Sequence, residues 1–210
     1  MLQSLNSSRS EGVRILQLNE VHLRNWRSYR NATFQLPSPR KKSNVILVGA
    51  QNGTGKTSLL IALYMGLFGR QAMHLIEGVG LASQHDEKNR SYRRLLERTI
   101  HRPALSADDP HMRIRLNFET DKGEFIIRRT WHYGRNGQPR DLANRDGEEV
   151  IVEAGGRPKS FPNWEDANAV IAEALFPDNV MPCFFFDGEQ AQARVEATGG
   201  RALLDAVNTL

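Results

Sequence analysis

The residues best suited to chemistry form a glycine-rich loop that runs Asn52, Gly53, Thr54, Gly55, Lys56 and Thr57. A loop of this kind lets successive backbone N–H groups point at one anion, because glycine has no Cβ to block the approach. Lys56 would bring a mobile cation to the β- and γ-phosphates of a nucleotide, and the Thr57 hydroxyl would reach Mg²⁺. The loop therefore predicts a binding site for ATP, or a close relative, together with Mg²⁺.

The sequence on either side of this loop fits a strand and a helix. Residues 45–48 are a continuous apolar run, which is typical of a strand buried on both faces. Residues 57–68 are apolar on nearly every side, which predicts a helix in the interior, with Gly69 as its C-cap. Ala50 stands where the motif usually has its first glycine, and a residue this small can be accommodated there.

The remaining patterns predict an α/β fold in which a mixed sheet is joined to an antiparallel β-meander. Two N-terminal strands, at 13–23 and 32–36, flank a polar and aromatic turn. Strict alternation over 112–118, a turn at 121–123 and a strand at 124–131 begin the meander, which further turn signals extend to Val152. A loop over 78–88 precedes a basic helix over 91–101, and Asn163 caps a helix over 164–175.

ATP hydrolysis would also need a carboxylate that holds Mg²⁺. Residues 182–186 form an apolar strand candidate that ends at Asp187, which imitates the usual arrangement. Gly188 separates Asp187 from Glu189, and no signature loop of the ABC type precedes it. Both observations argue against Asp187 as the Walker B acid, and its assignment stays open.

Composition allows one globular domain and excludes few functions. The chain has 210 residues, of which 40% are hydrophobic and 25% charged, and no apolar run approaches the roughly 20 residues that span a bilayer. The single cysteine, Cys183, fits a reducing compartment, so the cytoplasm is the expected location. The net charge of +4 is too small to establish a nucleic-acid partner. The positive charge is most concentrated in one cluster of arginines, Arg90, Arg93, Arg94, Arg98 and Arg102. This cluster is either a solvated helix face or a DNA contact.

The turn at 25–29, the strand at 45–48 and residues 49–69 together resemble the N-terminal lobe of SMC-like ABC ATPases, the family that includes RecF and SbcC. The resemblance implies a P-loop NTPase fold of the ABC N-lobe type. It also implies a catalytic role for Lys56, and places Asp187 where the family has a metal-contacting glutamine. The nucleotide contacts that it implies are Arg27, Ser28, Asn52, Gly53, Thr54, Gly55, Lys56, Thr57 and Ser58. Segment 182–189 is most similar to DNA sulfur-modification ATPases of the DndD type.

In such ATPases the signature and Walker B motifs lie in a C-terminal lobe beyond a coiled coil. The Ser- and Asn-rich start of the chain predicts a flexible segment at 1–12, and the apolar spacing near its end predicts a helix within 199–210. The resemblance implies that residues 13–198 form the lobe and that the helix at 199–210 leads towards the coiled coil. It implies nucleotide binding but poor hydrolysis by this chain alone, an ATP-dependent head dimer, and action on DNA with other subunits of a DNA-modification complex. Two alternatives remain: a repair or recombination lobe of the RecF or SbcC kind, and a self-contained nucleotide kinase with Asp187 as its Walker B acid.

Overall fold

The computed structural model describes residues 16–38, 46–49, 51–76 and 88–175. The predictions for residues 1–12, the strand at 182–186, Asp187 and the helix at 199–210 lie outside the described residues, as do Val45, Ala50 and nearly all of the loop at 78–88.

Six strands and four α-helices make up the described part of the chain. The strands are β1 (Leu16–Trp26), β2 (Tyr29–Gln35), β3 (His111–Thr120), β4 (Gly123–His132), β5 (Glu148–Ala154) and β6 (Arg157–Ser160). The helices are α1 (Lys56–Phe68), α2 (Met73–Ile76), α3 (Lys88–Thr99) and α4 (Trp164–Leu175), with 3₁₀ turns at Gly69–Ala72 and Arg102–Ser106.

The strands form one sheet in the order β2-β1-β3-β4-β5-β6, and every neighbouring pair is antiparallel. The predicted hairpin and meander are confirmed. In β3 the apolar side chains are buried in strict alternation with arginines that face the other way, as a half-buried strand requires. One face of the sheet, here called the inner face, therefore carries the core, and the opposite face, here called the outer face, is polar.

Helix α1 packs against the inner face over β3. It is buried from Ile61 onwards on most of its surface, as its uniformly apolar sequence predicts. The closest approach is at Gly66, where an added Cβ would lie 2.9 Å from side-chain carbons of both Ile114 and Leu116. Glycine at this position lets the helix and the sheet come together.

The prediction of a strand at 45–48, immediately before the loop, is wrong for residues 46–48, which the structure describes. Ile46, Leu47 and Val48 belong to no strand, and their relative exposures are 44%, 91% and 53%. A strand needs a neighbour to pair with its N–H and C=O groups, and none of the six described strands lies beside this segment. For the same reason the described sheet is antiparallel throughout rather than mixed.

The predicted helices at 57–68, 91–101 and 164–175 are confirmed with small shifts of their ends. Asn163 caps α4 as expected, because its Oδ1 accepts a hydrogen bond of 2.8 Å from the Asp166 N–H. None of the helices that the structure describes combines the length and the apolar character needed to cross a bilayer.

Candidate nucleotide-binding site

The glycine-rich loop folds back on itself just before helix α1. Gly53 and Gly55 have φ angles of +81° and +111°, a region that residues with a Cβ rarely adopt. The Thr54 hydroxyl donates to the Gln51 carbonyl at 2.7 Å, and Lys56 Nζ donates to the same oxygen at 2.9 Å. The lysine side chain therefore lies across the loop and places its positive charge over the loop's own backbone.

The first turn of α1 has a positive electrostatic potential that an anionic ligand can reach. The first helical bond runs from the Leu59 N–H to the Gly55 carbonyl at 2.9 Å, so the N–H groups ahead of it have no partner within the helix. The turn contains no acidic residue, and Lys56 and Thr57 are exposed. The positive end of the helix dipole, the N–H groups that make no bond within the helix and the ammonium of Lys56 thus favour an anion at this point.

The turn between β1 and β2 is strained and firmly tied down. Asn25 and Arg27 have φ angles of +53° and +47°, although neither is glycine. Backbone of this kind costs about 1–3 kcal/mol per residue and persists only where the surroundings hold it. Here the Arg27 N–H donates to the Thr99 carbonyl at 2.6 Å, and the His101 N–H donates to the Asn25 carbonyl at 2.8 Å. The chain that leaves α3 therefore fixes the turn.

The residues on either side of this turn attach it to the glycine-rich loop. The buried Trp26 donates from Nε1 to the Ser58 carbonyl at 2.8 Å, in the first turn of α1. The Tyr29 hydroxyl donates to the Gly55 carbonyl at 3.3 Å. Arg27 and Ser28, which lie between these two anchors, are therefore held beside the loop.

Arg27 has a guanidinium group with spare hydrogen-bonding capacity. Its Nε is buried and has no hydrogen-bond partner among the residues that the structure describes. Burial lowers the pKa of this guanidinium below its ordinary value. An anion placed beside the turn would supply the missing acceptor and would compensate for the desolvated charge.

The other end of α1 is held by a buried polar network that the sequence reasoning missed. Arg129, on β4, lies against the last turn of α1 and forms an ion pair of 2.7 Å with Glu148 of β5, both side chains being almost fully buried. Its Nη2 donates to Asn168 Oδ1 at 2.7 Å, and Asn168 in turn donates to the Phe68 carbonyl at 3.0 Å. A cation at the C-terminus of a helix stabilises the carbonyl end of its dipole.

The network continues to α3 through two aromatic side chains. The Tyr92 hydroxyl donates to Glu148 Oε2 at 2.9 Å and accepts a bond of 2.8 Å from Trp131 Nε1. Burial, followed by the charge of Glu148, raises the pKa of Tyr92 well above its ordinary value, so the hydroxyl remains a donor. Helix α1 is thus fixed to the hairpin at its first turn, and to the sheet, α3 and α4 at its last.

The residues present fit a nucleoside triphosphate with Mg²⁺. The open N–H groups and Lys56 match the triphosphate. The exposed Thr57 forms no hydrogen bond with the described part of the protein and so has a hydroxyl available for a metal ion. A carboxylate for the metal is not found near the loop among the described residues, and Asp187 lies outside them.

Comparison with known proteins bears on this arrangement. A family model described as an AAA domain matches residues 20–164, which is more than half of the chain. The chain belongs to the AAA domain family. The matched region of this AAA domain contains the β1–β2 turn, the glycine-rich loop and the Arg129–Glu148 ion pair, whereas Asn168 lies beyond it. The domain is of the SMC/RecF-like kind, which points to an ATPase that uses ATP and Mg²⁺. The curated proteins contain no match to this chain.

The AAA domain has a signal for its buried network that the sequence reasoning did not use. Arg129 has the same strand parity as Ile127 and Trp131, so it falls on the apolar side of β4, whereas Arg128 falls on the polar side. Glu148 likewise shares a side with Val150 of β5. A charge on the buried side of each of two neighbouring strands indicates an internal ion pair.

Proposed function

We propose that this AAA domain is the ATP-binding half of an SMC-type ATPase head, with the glycine-rich loop as its phosphate site. The observation that carries the proposal is the position of Lys56 across the loop, beside an open helix N-terminus without acidic residues. The β1–β2 turn supports it, because Trp26 and Tyr29 hold Arg27 and Ser28 against this loop.

In this proposal the same chain does not complete the catalytic site. Hydrolysis requires a carboxylate at the metal and a group that orients water, and the signature and Walker B motifs would come from a second lobe and a second head. Ile46, Leu47 and Val48 are exposed and lie beside none of the described strands, and such a segment is normally buried between parallel strands, which supports a neighbour outside the described residues. ATP binding would then bring two heads together.

Calorimetric titration with ATP and Mg²⁺ tests the phosphate site. Replacing Lys56 by Ala removes a charge-assisted hydrogen bond worth about 1.5–3 kcal/mol, so binding should weaken about tenfold to a hundredfold. Lys122→Ala, in the exposed β3–β4 turn, removes the same charge far from the loop and should leave binding unchanged. Equal affinities of the wild type and Lys56→Ala would refute the phosphate site.

An ATP hydrolysis assay on the same proteins shows whether this chain is one half of an ATPase head or a complete enzyme. Binding with little hydrolysis is the expected result. Rapid hydrolysis by this chain, lost in Lys56→Ala and in Asp187→Asn, would contradict the two-lobe proposal. Transfer of phosphate to a nucleoside monophosphate would instead identify a kinase.

We further propose that the head acts on DNA as a DndD-type component of a sulfur-modification complex. The support is the likeness of segment 182–189, Pro-Cys-Phe-Phe-Phe-Asp-Gly-Glu, to that group. In cells that carry the modification, Lys56→Ala should abolish phosphorothioate linkages, measured by mass spectrometry of digested genomic DNA. Unaltered linkages alongside lost ATP binding would exclude this role and leave the ATPase proposal intact.

A further inference from the structure

The outer face of the sheet carries a line of arginines across three neighbouring strands. Arg24 of β1 lies directly opposite Arg113 of β3 in the strand register. Arg113 lies opposite Thr130 of β4, two residues from Arg128, so that Arg128 occupies the diagonal position. Directly opposed Cβ atoms lie about 5 Å apart and diagonal ones about 7–8 Å apart. These three residues, Arg24, Arg113 and Arg128, are here called the arginine stripe.

The charges of the stripe act on one another. Burial lowers the pKa of Arg113, and the positive charges of Arg128 and Arg24 lower it further, whereas Glu149 opposes them. Within the described ranges, no member of the stripe forms an ion pair. Arg115 on the same face differs, since its Nη1 lies 2.5 Å from Glu20 Oε1. Like charges placed opposite one another destabilise a sheet, so the stripe costs the fold stability.

A groove continues the stripe at the end of β1. Its volume is about 780 Å³. Its lining combines polar and basic side chains with small apolar ones; the lining residues are Arg24, Asn25, Arg30, Asn31, His101, Pro103, Ala104 and Ala107. Arg24 belongs to both the stripe and the groove, so the two are continuous, and Arg30 adds a second guanidinium to the groove.

We propose that the stripe and the groove bind the phosphodiester backbone of a nucleic-acid duplex. This proposal rests on the proposed action on DNA and assigns it to a surface. Positive side chains repeated along a line, with polar rather than aromatic neighbours, suit a regular polyanion. A protein partner would require a cluster of apolar or aromatic anchors at the centre of the interface. Thr130 and Asn31, which lie opposite Arg113 and Arg24, are polar, and Ile151 opposite Arg128 is a single half-buried aliphatic side chain.

The sheet is a better surface for this purpose than helix α3, which the basic sequence cluster had suggested. Arg93 is half-buried and donates to the Pro139 carbonyl at 2.9 Å, so it holds α3 to the segment that follows β4. Arg94 and Arg98 are exposed on α3 and carry the same charge as the stripe. They provide a matched control for charge reversal in the same protein.

Fluorescence anisotropy with a labelled duplex over a series of salt concentrations tests the proposal. Arg24→Glu with Arg128→Glu should weaken binding at least about tenfold, and Arg94→Glu with Arg98→Glu should not. Arg24→Gln with Arg128→Gln should reduce the slope of log K against log salt by about 2, since each phosphate contact contributes about 0.9. Lysine at both positions should retain the slope, because a point charge still attracts a phosphate.

Several outcomes would overturn the proposal. These are duplex binding of wild-type affinity by the stripe variant, an equal loss of affinity in the α3 variant, and failure of the lysine variant to restore binding. Binding of a fluorescent ATP analogue is measured on the same samples. If the wild type binds the duplex but not the ATP analogue, the ATPase proposal alone is refuted. Circular dichroism confirms that each variant is folded.

Discussion

Replacing Arg129 by Met should remove a large part of the free energy of unfolding. Arg129 and Glu148 have side-chain exposures of 0% and 1%, so the variant leaves the Glu148 carboxylate buried without its cation. Breaking a buried pair in this way costs about 3–5 kcal/mol. A domain is stable by about 5–15 kcal/mol, and each kcal/mol corresponds to roughly 2–4 °C for a chain of this size. The melting temperature should therefore fall by about 6–20 °C.

The double variant Arg129→Met with Glu148→Gln distinguishes an unpaired charge from lost packing. Gln removes the charge but keeps an oxygen that can accept the hydrogen bond that Tyr92 donates to Glu148 at 2.9 Å. The double variant should therefore be more stable than Arg129→Met, even though it carries one more substitution.

Urea unfolding followed by tryptophan fluorescence measures all four members of this cycle. The expected coupling free energy is at least about 2 kcal/mol, at the upper end of the range for contacting residues. If the two single changes simply add, the ion pair contributes nothing beyond the space that its side chains fill. The account of Arg129 as the charged cap of α1 would then be refuted.

Three further changes have defined outcomes. Gly55→Ala should weaken ATP binding at least about tenfold in calorimetry, because φ is +111° and the new Cβ would overlap the Tyr29 hydroxyl. Gly66→Ala should lower the free energy of unfolding in urea by about 1–3 kcal/mol, since its Cβ would lie 2.9 Å from Leu116 Cδ1. Burial lowers the pKa of His132, so the unfolded chain takes up its proton first as pH falls. Stability should decline below about pH 6.5, and His132→Gln should flatten this part of the urea profile.

A matched control makes the outcomes for the glycine variants specific. Gly49→Ala adds a Cβ that meets nothing within 4 Å and should change neither ATP binding nor stability. Wild-type ATP affinity in Gly55→Ala, unchanged stability in Gly66→Ala, or an unaltered pH profile in His132→Gln would each contradict the corresponding contact.

The parts of the fold that local chemistry determines could be predicted from the sequence. Helix α4 runs from Trp164 to Leu175 as predicted, because Asn163 caps it and needs no distant partner to do so. The β3–β4 hairpin follows from alternation and from a turn that ends at Gly123, whose φ is +98°. The glycine-rich loop was likewise recognisable, since positive φ at Gly53 and Gly55 is a property of the residue type.

Features that depend on a distant partner could not be predicted in the same way. The apolar run at 45–48 indicates a segment that requires burial, but it does not say which strand lies beside it, and residues 46–48 are exposed. Trp26 looked like one member of a polar and aromatic turn, whereas its Nε1 bonds a carbonyl thirty-two residues away in α1. The position of the β1–β2 turn beside the loop thus depends on tertiary contacts.

Helix α1 is attached at both ends, and this has a mechanical consequence. Trp26 fastens its first turn to the hairpin, and Asn168 fastens its last carbonyl to α4. Helix α1 cannot rotate about either of these hydrogen bonds without breaking the other. A displacement of the first turn of α1 is therefore transmitted along the helix to α4. Helix α1 should accordingly move together with the sheet as a rigid unit.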